Sequence, residues 1–162
     1  MKNTFAKASF IVLTLLFAAG FAVFSAWRMK QPQPKEADLA ALGEALQGSG
    51  LLQASKPGTA QECKKNFGLS SDSYEEILYF SPATFMDVEE VLVVRAPDGA
   101  AAAAEAVEAR RSGLQKSFEN YGTFQAAMLG DAVIYENGVY ACYAAGEHSR
   151  EIMSMIRKAI EE

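Results

Sequence analysis

The sequence predicts an α+β domain with about four antiparallel strands, built from two ββα units, with helices on one face of the sheet and an N-terminal transmembrane helix before it. Three observations support this prediction. Two β-rich segments precede a long alanine-rich stretch of helix formers. Two more flank an Asn-Gly pair and precede an amphipathic stretch. An uncharged run of twenty residues lies near the start of the chain.

The uncharged run covers residues 8–27, which is about the length that an α-helix needs to cross a bilayer. Trp27 suits the interfacial position of such a helix. We interpret the run as a signal anchor that follows a cytoplasmic segment, residues 1–7. Cleavage as a signal peptide near Ala18-Ala19-Gly20 is the alternative, and it would release the protein. Both interpretations place the rest of the chain outside the cytoplasm.

Residues 28–36 are polar, contain two prolines and predict a short stiff linker to an extracytoplasmic domain at 37–162. Half of the residues in the chain are apolar, which is enough for a core. From residue 28 onward, thirteen Lys and Arg stand against twenty Asp and Glu, a net charge of −7. Because phosphate binding needs concentrated basic residues, we expect no nucleic-acid partner.

The first part of the domain predicts two helices. Apolar residues spaced for one helix face predict an amphipathic helix over residues 37–47. They are Leu39, Leu42 and Leu46. A second, short helix is expected between Thr59, a candidate N-cap, and Gly68, where it ends. It carries Cys63 and Phe67.

The first pair of strands is predicted at residues 74–80 and 88–95. A helix of about twenty residues follows, with Asp98 as a plausible N-cap and Gly113 as a weak point. Its alanines indicate a face that lies close against the sheet. Its larger apolar residues form one stripe. They are Val107, Leu114, Phe118 and Tyr121.

A hairpin is the clearest local signal in the chain. Residues 131–145 contain two β-rich segments around Asn137-Gly138, a pair that favours a type I′ turn. An amphipathic helix follows Gly146. Its apolar side is formed by Ile152, Met155 or Met153, Ile156 and Ile160.

The second half of the chain resembles DUF4358, a bacterial domain of unknown function. The resemblance rests on a motif in the long helix and on the hairpin downstream: Arg111, Gln115, Ser117, Phe118, Tyr121, Asn137 and Gly138. The stretch EEVLVVRAPDG is also similar to the family's strand leading into that helix. The resemblance covers about residues 37–160. It implies a small exported or anchored protein, often from Gram-positive bacteria, and implies no reaction.

The two cysteines, Cys63 and Cys142, suit either a disulfide or two buried thiols in the core. His148 is the only histidine and lacks the partners that a zinc site needs, so we expect a solvated residue at the start of the last helix. No metal site and no cofactor are predicted.

Charged residues on the predicted strands and on the long helix are expected to face solvent. On the strands they form two acidic pairs, Glu75-Glu76 and Glu89-Glu90. Paired carboxylates can serve glycoside hydrolysis, but solvent-facing charges that protect a sheet edge are the plainer interpretation. The charged residues of the long helix are Arg110, Arg111, Lys116 and Glu119.

The chain carries none of the sequence motifs of a nucleophile elbow, a P-loop, a zinc protease or a Rossmann fold. We therefore expect a non-catalytic accessory or protein-interaction module of the cell envelope, with the membrane and another envelope protein as partners. The alternative is a small-ligand sensor with a groove between the sheet and the long helix. Four tyrosines motivate it: Tyr79, Tyr135, Tyr140 and Tyr143. An enzyme with a cryptic site is the third hypothesis.

Overall fold

A computed structural model of the chain describes residues 20–21, 36–97 and 99–161. The chain divides after residue 33, and the folded unit discussed below belongs to residues 34–162. Apart from residues 20–21, the predicted signal anchor at 8–27 lies outside the described residues, as does the linker up to residue 35. Within the described part of the chain, no helix combines the length and apolar character needed to span a bilayer.

Residues 36–97 and 99–161 form five α-helices, a short 3-10 helix at Ser71–Ser73 and five strands. The helices are α1 (Leu39–Gly48), α2 (Ala60–Phe67), α3 (Ala101–Phe118), α4 (Thr123–Gly130) and α5 (Ser149–Glu161). The strands are β1 (Ser55–Pro57), β2 (Glu76–Pro82), β3 (Glu90–Arg95), β4 (Val133–Asn137) and β5 (Tyr140–Ala145).

The strands form one antiparallel sheet in the order β1-β2-β3-β5-β4. The predicted α+β class and antiparallel sheet are confirmed. The predicted number of strands is wrong, because β1 adds a fifth strand beside the end of β2, where Ser55 lies opposite Pro82. β1 has only three residues and contains a proline, so periodicity could not reveal it.

Helices cover both faces of the sheet, and the prediction that they lie on one face is wrong. We call the face that packs against α2, α3 and α4 the first face, and the face that packs against α1 and α5 the second face. In β3, Leu92 and Val94 point to the first face, whereas Val91 and Val93 point to the second. A strand that is apolar at consecutive positions needs cover on both sides.

Local signals set most of the helix ends. The Asp38 side chain accepts a hydrogen bond from the Ala41 N–H and begins α1. Thr59 and Glu62 form a capping box at the start of α2, and Gly68 ends that helix with a φ of +73°. The second helix of the domain therefore begins and ends where it was predicted.

The long helix α3 differs from prediction at both ends. Its N-cap position is Ala100, with no capping side chain among the described residues, and the predicted N-cap, Asp98, lies outside those residues. Its C-terminal end is Phe118, which is buried, so Tyr121 lies beyond the helix and is 67% exposed. The predicted apolar stripe is therefore wrong at its last residue. The alanine run packs as predicted, with Ala103 fully buried against the sheet.

The hairpin joins β4 to β5, and its turn is displaced by one residue from the prediction. Asn137 pairs with Tyr140, so the two turn residues are Gly138 and Val139. Gly138 has a φ of +60°, and among the described residues only glycines have positive φ. Glycine alone at the first turn position is typical of a type II′ turn, so the type I′ prediction is wrong.

Helix α5 buries the apolar side that was predicted. Ile152, Ile156 and Ile160 have no solvent exposure and pack on the second face. Of the two methionines, Met153 is buried, whereas Met155 is half-buried at the edge of the same cluster.

Candidate functional site

A buried carboxylate occupies the space between the first face and α3. Glu90 is the first residue of β3 and has no solvent exposure. The Arg110 Nε donates to Glu90 Oε2 at 3.1 Å, and the Arg110 Nη2 donates to Oε1 at 3.3 Å. The Tyr79 hydroxyl also donates to Oε1, at 2.7 Å, and itself accepts from Asn66 Nδ2 at 2.7 Å. We call these four residues the Glu90 network.

Strand register and helix spacing create the Glu90 network. Tyr79 lies opposite Leu92 in β2, so its side chain shares the first face with Glu90, two residues from Leu92. Arg110 lies in the middle of α3, and its guanidinium stacks over the Phe67 ring at 5.9 Å from the ring centroid. The network therefore joins two strands and two helices.

The hydrogen bonds and charges of the Glu90 network favour a structural role, stabilising the fold, over a role in proton transfer. Both carboxylate oxygens have donors, and the guanidinium balances the charge. Burial, and then the proximity of Glu90, raise the pKa of Tyr79 far above its usual value, so the phenol keeps its proton and donates it. A carboxylate with this many donors and no exposure is poorly placed to take a proton from a substrate.

The neighbouring Tyr143 is buried beside the Glu90 network but is not bonded to it. It is fully buried on the first face, with its ring edge-on to Phe67 at 6.2 Å between centroids. Its hydroxyl has no hydrogen-bond partner among the described residues. Burial raises the pKa of Tyr143 and keeps the phenol neutral.

The acidic pairs differ from the prediction that all four side chains face solvent. The prediction that Glu89 and Glu90 face solvent is wrong, because both are buried. Glu89 accepts from the Ala54 N–H at 2.9 Å and from the Ser55 hydroxyl at 2.8 Å, and so fixes the chain at the start of β1. Glu75 does face solvent, where it forms an ion pair with Arg95 at 2.7 Å.

Two basic residues of α3, Arg110 and Arg111, also differ from the predicted solvated face, whereas Lys116 is exposed as predicted. Arg110 turns inward to Glu90. Arg111 pairs with Glu108 and donates to Gln115 Oε1 at 3.3 Å and to the Leu129 carbonyl at 3.5 Å. The motif residue Arg111 therefore links α3 to the end of α4, and Gln115 accepts a hydrogen bond from its guanidinium. Ser117 donates to the Gly113 carbonyl within the helix.

The two cysteines lie on opposite sides of the sheet. Cys63 packs in the cluster on the first face and Cys142 in the cluster on the second. Both thiols are buried and free, so of the two alternatives the structure shows two core thiols and not a disulfide. Burial raises the pKa of Cys63 to about 11 and that of Cys142 to about 12, which keeps both thiols protonated and unreactive.

The other candidate residues do not converge on a site. His148 is half-buried just before α5, and its carbonyl accepts from the Ile152 N–H at 3.0 Å. The described residues contain no cluster of three or more metal-ligating side chains. Among the tyrosines that motivated a ligand groove, Tyr79 and Tyr143 are buried on the first face and Tyr140 on the second. They fill the core and do not line one groove.

Four large apolar side chains are exposed in the β2–β3 connection and around the start of α4. Phe85 is 90% exposed and Phe124 is 66% exposed. Met86 and Tyr121 are also exposed, and the Gln125 side chain donates to the Met86 carbonyl at 3.4 Å. This contact brings the β2–β3 connection to the start of α4. We call Phe85, Met86, Tyr121 and Phe124 the aromatic patch.

Ordered turns support the aromatic patch. Asp87 accepts from the Thr84 N–H at 2.9 Å and from its hydroxyl at 2.7 Å, so a closed turn presents Phe85 to solvent. On the other side, Gly122 makes a tight turn after α3. A Cβ at this position would lie 2.4 Å from the Phe118 ring. Large apolar side chains that are held exposed by ordered turns commonly mark an interaction surface.

The fold and the surface together define a small three-layer α+β domain in which the buried Glu90 network is fully hydrogen-bonded and the aromatic patch is exposed. The chain belongs to the family described as domain of unknown function (DUF4358), whose model matches residues 49–146. The resemblance seen in the sequence is confirmed over this narrower range, which contains the Glu90 network and the aromatic patch. No curated protein and no solved structure matches the chain.

Proposed function

We propose that this protein is a membrane-anchored extracytoplasmic domain that acts as a non-catalytic accessory or protein-interaction module of the bacterial cell envelope. The uncharged run at residues 8–27 supports a single-pass anchor. The nine residues at 28–36 reach about 28 Å when extended at polyproline spacing, which keeps the domain close to the bilayer.

The aromatic patch is the observation that carries the interaction proposal. An exposed phenylalanine on a hydrogen-bonded turn keeps its apolar surface in water, and burying that surface against a partner would gain hydrophobic free energy. By contrast, the polar groups of the Glu90 network already satisfy one another. The surface therefore favours binding over catalysis.

The position of the aromatic patch in the domain also suits binding. Glu36, the last residue of the predicted linker, pairs with Arg95 at 2.8 Å at the end of β3. Phe85 lies in the β2–β3 connection, which joins the opposite end of the same strand. A tether at Glu36 therefore leaves the patch accessible. Since the domain is acidic, the proposed partner presents an apolar surface with basic residues around it.

Site-specific photo-crosslinking in living cells tests the interaction. A photoreactive phenylalanine analogue at position 85 or 124 should capture one common envelope protein, and Phe85→Ser or Phe124→Ser should abolish its co-purification. The control is the analogue at Lys64, an exposed residue of α2 far from the patch in sequence. Equal capture from the control position, or retention of the partner by both serine variants, would rule out this surface.

Membrane fractionation tests the anchor. The protein should remain in the membrane pellet after alkaline extraction, keep its full-length mass and be digested by protease added outside the cell. A mature N-terminus at Phe21 would show a released protein and contradict the anchor.

A further inference from the structure

Strand β4 leaves a row of backbone groups unpaired at one edge of the sheet. The two-residue turn makes Asn137 and Tyr140 a hydrogen-bonded pair, and such pairs alternate along an antiparallel ladder. Val133 and Tyr135 therefore also bond β5, whereas the N–H and C=O groups of Ile134 and Glu136 point outward. Among the described residues, no backbone group bonds to either of these N–H groups.

The opposite edge of the sheet is better protected than the β4 edge. β1 has three residues, one of which is a charged lysine, Lys56, and another a proline, Pro57, which lacks an N–H. Short length, lysine and proline are the usual devices that prevent edge-to-edge pairing. β4 has five residues, contains neither lysine nor proline, carries one charged side chain, Glu136, and keeps an uninterrupted register with β5.

We propose that β4 pairs with β4 of a second copy of this chain, antiparallel, about a two-fold axis at Tyr135. Ile134 then lies opposite Glu136 of the partner subunit, and the two pairs exchange four backbone hydrogen bonds. Tyr135 lies opposite its own counterpart as a non-hydrogen-bonded pair. The interface uses the same surface of both subunits and joins two five-stranded sheets into one.

The side chains at the proposed axis favour a second copy as the occupant. The Arg157 guanidinium stacks over the Tyr135 ring at 4.6 Å from its centroid, and the Tyr135 hydroxyl donates to Glu161. Arg157 and Glu161 also form an ion pair at 3.2 Å. Each subunit therefore brings a balanced charge pair to the axis. Glu136 faces an isoleucine, so no like charges lie directly opposite one another.

Cysteine crosslinking of the full-length protein in detergent tests the register. Tyr135→Cys should form an intermolecular disulfide on mild oxidation, because non-hydrogen-bonded pairs have Cα atoms about 4.5 Å apart. Val133→Cys and Asn137→Cys should each fail alone but crosslink when mixed, since these two positions face each other across the axis. The wild type is the background control, because both of its cysteines are buried.

A matched pair of variants tests the backbone pairing without relying on crosslinks. Glu136→Pro removes an outward N–H and no bond within the domain, so it should be monomeric with an unchanged circular dichroism spectrum. Glu136→Gln keeps the N–H and should remain a dimer by light scattering. A monomeric wild type, a dimeric Glu136→Pro, or equal crosslinking at all three cysteine positions would each overturn the proposal. None of these outcomes bears on the aromatic patch.

Discussion

Replacing Arg110 with methionine should destabilise the domain strongly, because it leaves the buried Glu90 carboxylate without its cation. The guanidinium donates to both carboxylate oxygens, and Glu90 itself has no solvent exposure. Removing one member of a buried ion pair costs about 3–5 kcal/mol. The Arg110 side chain is 20% exposed, so water can enter where it is removed. We therefore expect a loss of about 3 kcal/mol, at the lower end of that range.

A double-mutant cycle measured by urea and thermal unfolding tests this prediction. About 3 kcal/mol corresponds to a fall in Tm of roughly 12 °C for a domain of this size. Glu90→Met combined with Arg110→Met should be less destabilised than Arg110→Met alone, since no buried charge remains. Arg150→Met is the control, because its ion pair with Asp131 is 77% and 72% exposed.

Two results would refute the reasoning about Glu90. One is a loss of less than about 1 kcal/mol for Arg110→Met, the value typical of a surface ion pair. The other is additivity of the two substitutions, which would mean that Glu90 and Arg110 do not interact.

Three further outcomes are expected. Gly122→Ala should lower the free energy of unfolding in urea by about 1–3 kcal/mol, because the new Cβ meets the Phe118 ring. Gly113→Ala, in open space within a helix, should raise it by about 0.5–1 kcal/mol, and the reverse order of stabilities would contradict the packing. Hydrogen bonds from the backbone and side chain of Thr59 lower the pKa of Glu62 below 4.5, so the ionised carboxylate stabilises the fold above that pH and this contribution is lost as the pH falls. Glu62→Gln should therefore flatten the dependence of the unfolding free energy on pH in the acid range, and an unchanged slope would exclude this contribution. Cys63 and Cys142 should not react with maleimide at pH 8 until urea unfolds the protein, and rapid labelling of the folded protein would show that the thiols are accessible.

The elements that the sequence predicted well are those with strong local signals. Thr59 and Gly68 bound α2 because capping depends on a few adjacent residues. The hairpin was predictable from Gly138 and its flanking strands, although the turn type depends on which residue occupies the first position. β1 was not predictable, because three residues carry no periodicity and only the pairing with β2 defines the strand.

The helices on both faces could have been inferred from β3 and β5. Consecutive apolar residues from Val91 to Val94 indicate a strand that is buried on both sides, whereas the alternation expected of a half-exposed sheet is absent. Burial of the sheet on both faces also explains the positions of the two cysteines. Once both faces are covered, Cys63 on α2 and Cys142 on β5 can lie on opposite sides of the sheet.

The Glu90 network could not be predicted because its members come from four separate elements. A glutamate at the start of a strand usually faces solvent, and the position of its partner Arg110 is known only from the three-dimensional structure. One signal was available in the sequence. The strand position of Glu90 shares its parity with Leu92 and Val94, so a strict alternation places its side chain on the same buried face.

The join between the N-terminal segment and the domain also determines how the protein bears mechanical load. The Ala37 N–H donates to the Tyr140 hydroxyl at 2.9 Å, and Glu36 binds Arg95. Tyr140 begins β5 and Arg95 ends β3, the two strands that pair along six positions in the middle of the sheet. A pull on residue 36 is therefore transmitted directly to the central strands, before any force reaches α1. In a protein tethered through this segment, these two contacts would have to break before α1 is pulled away from the sheet.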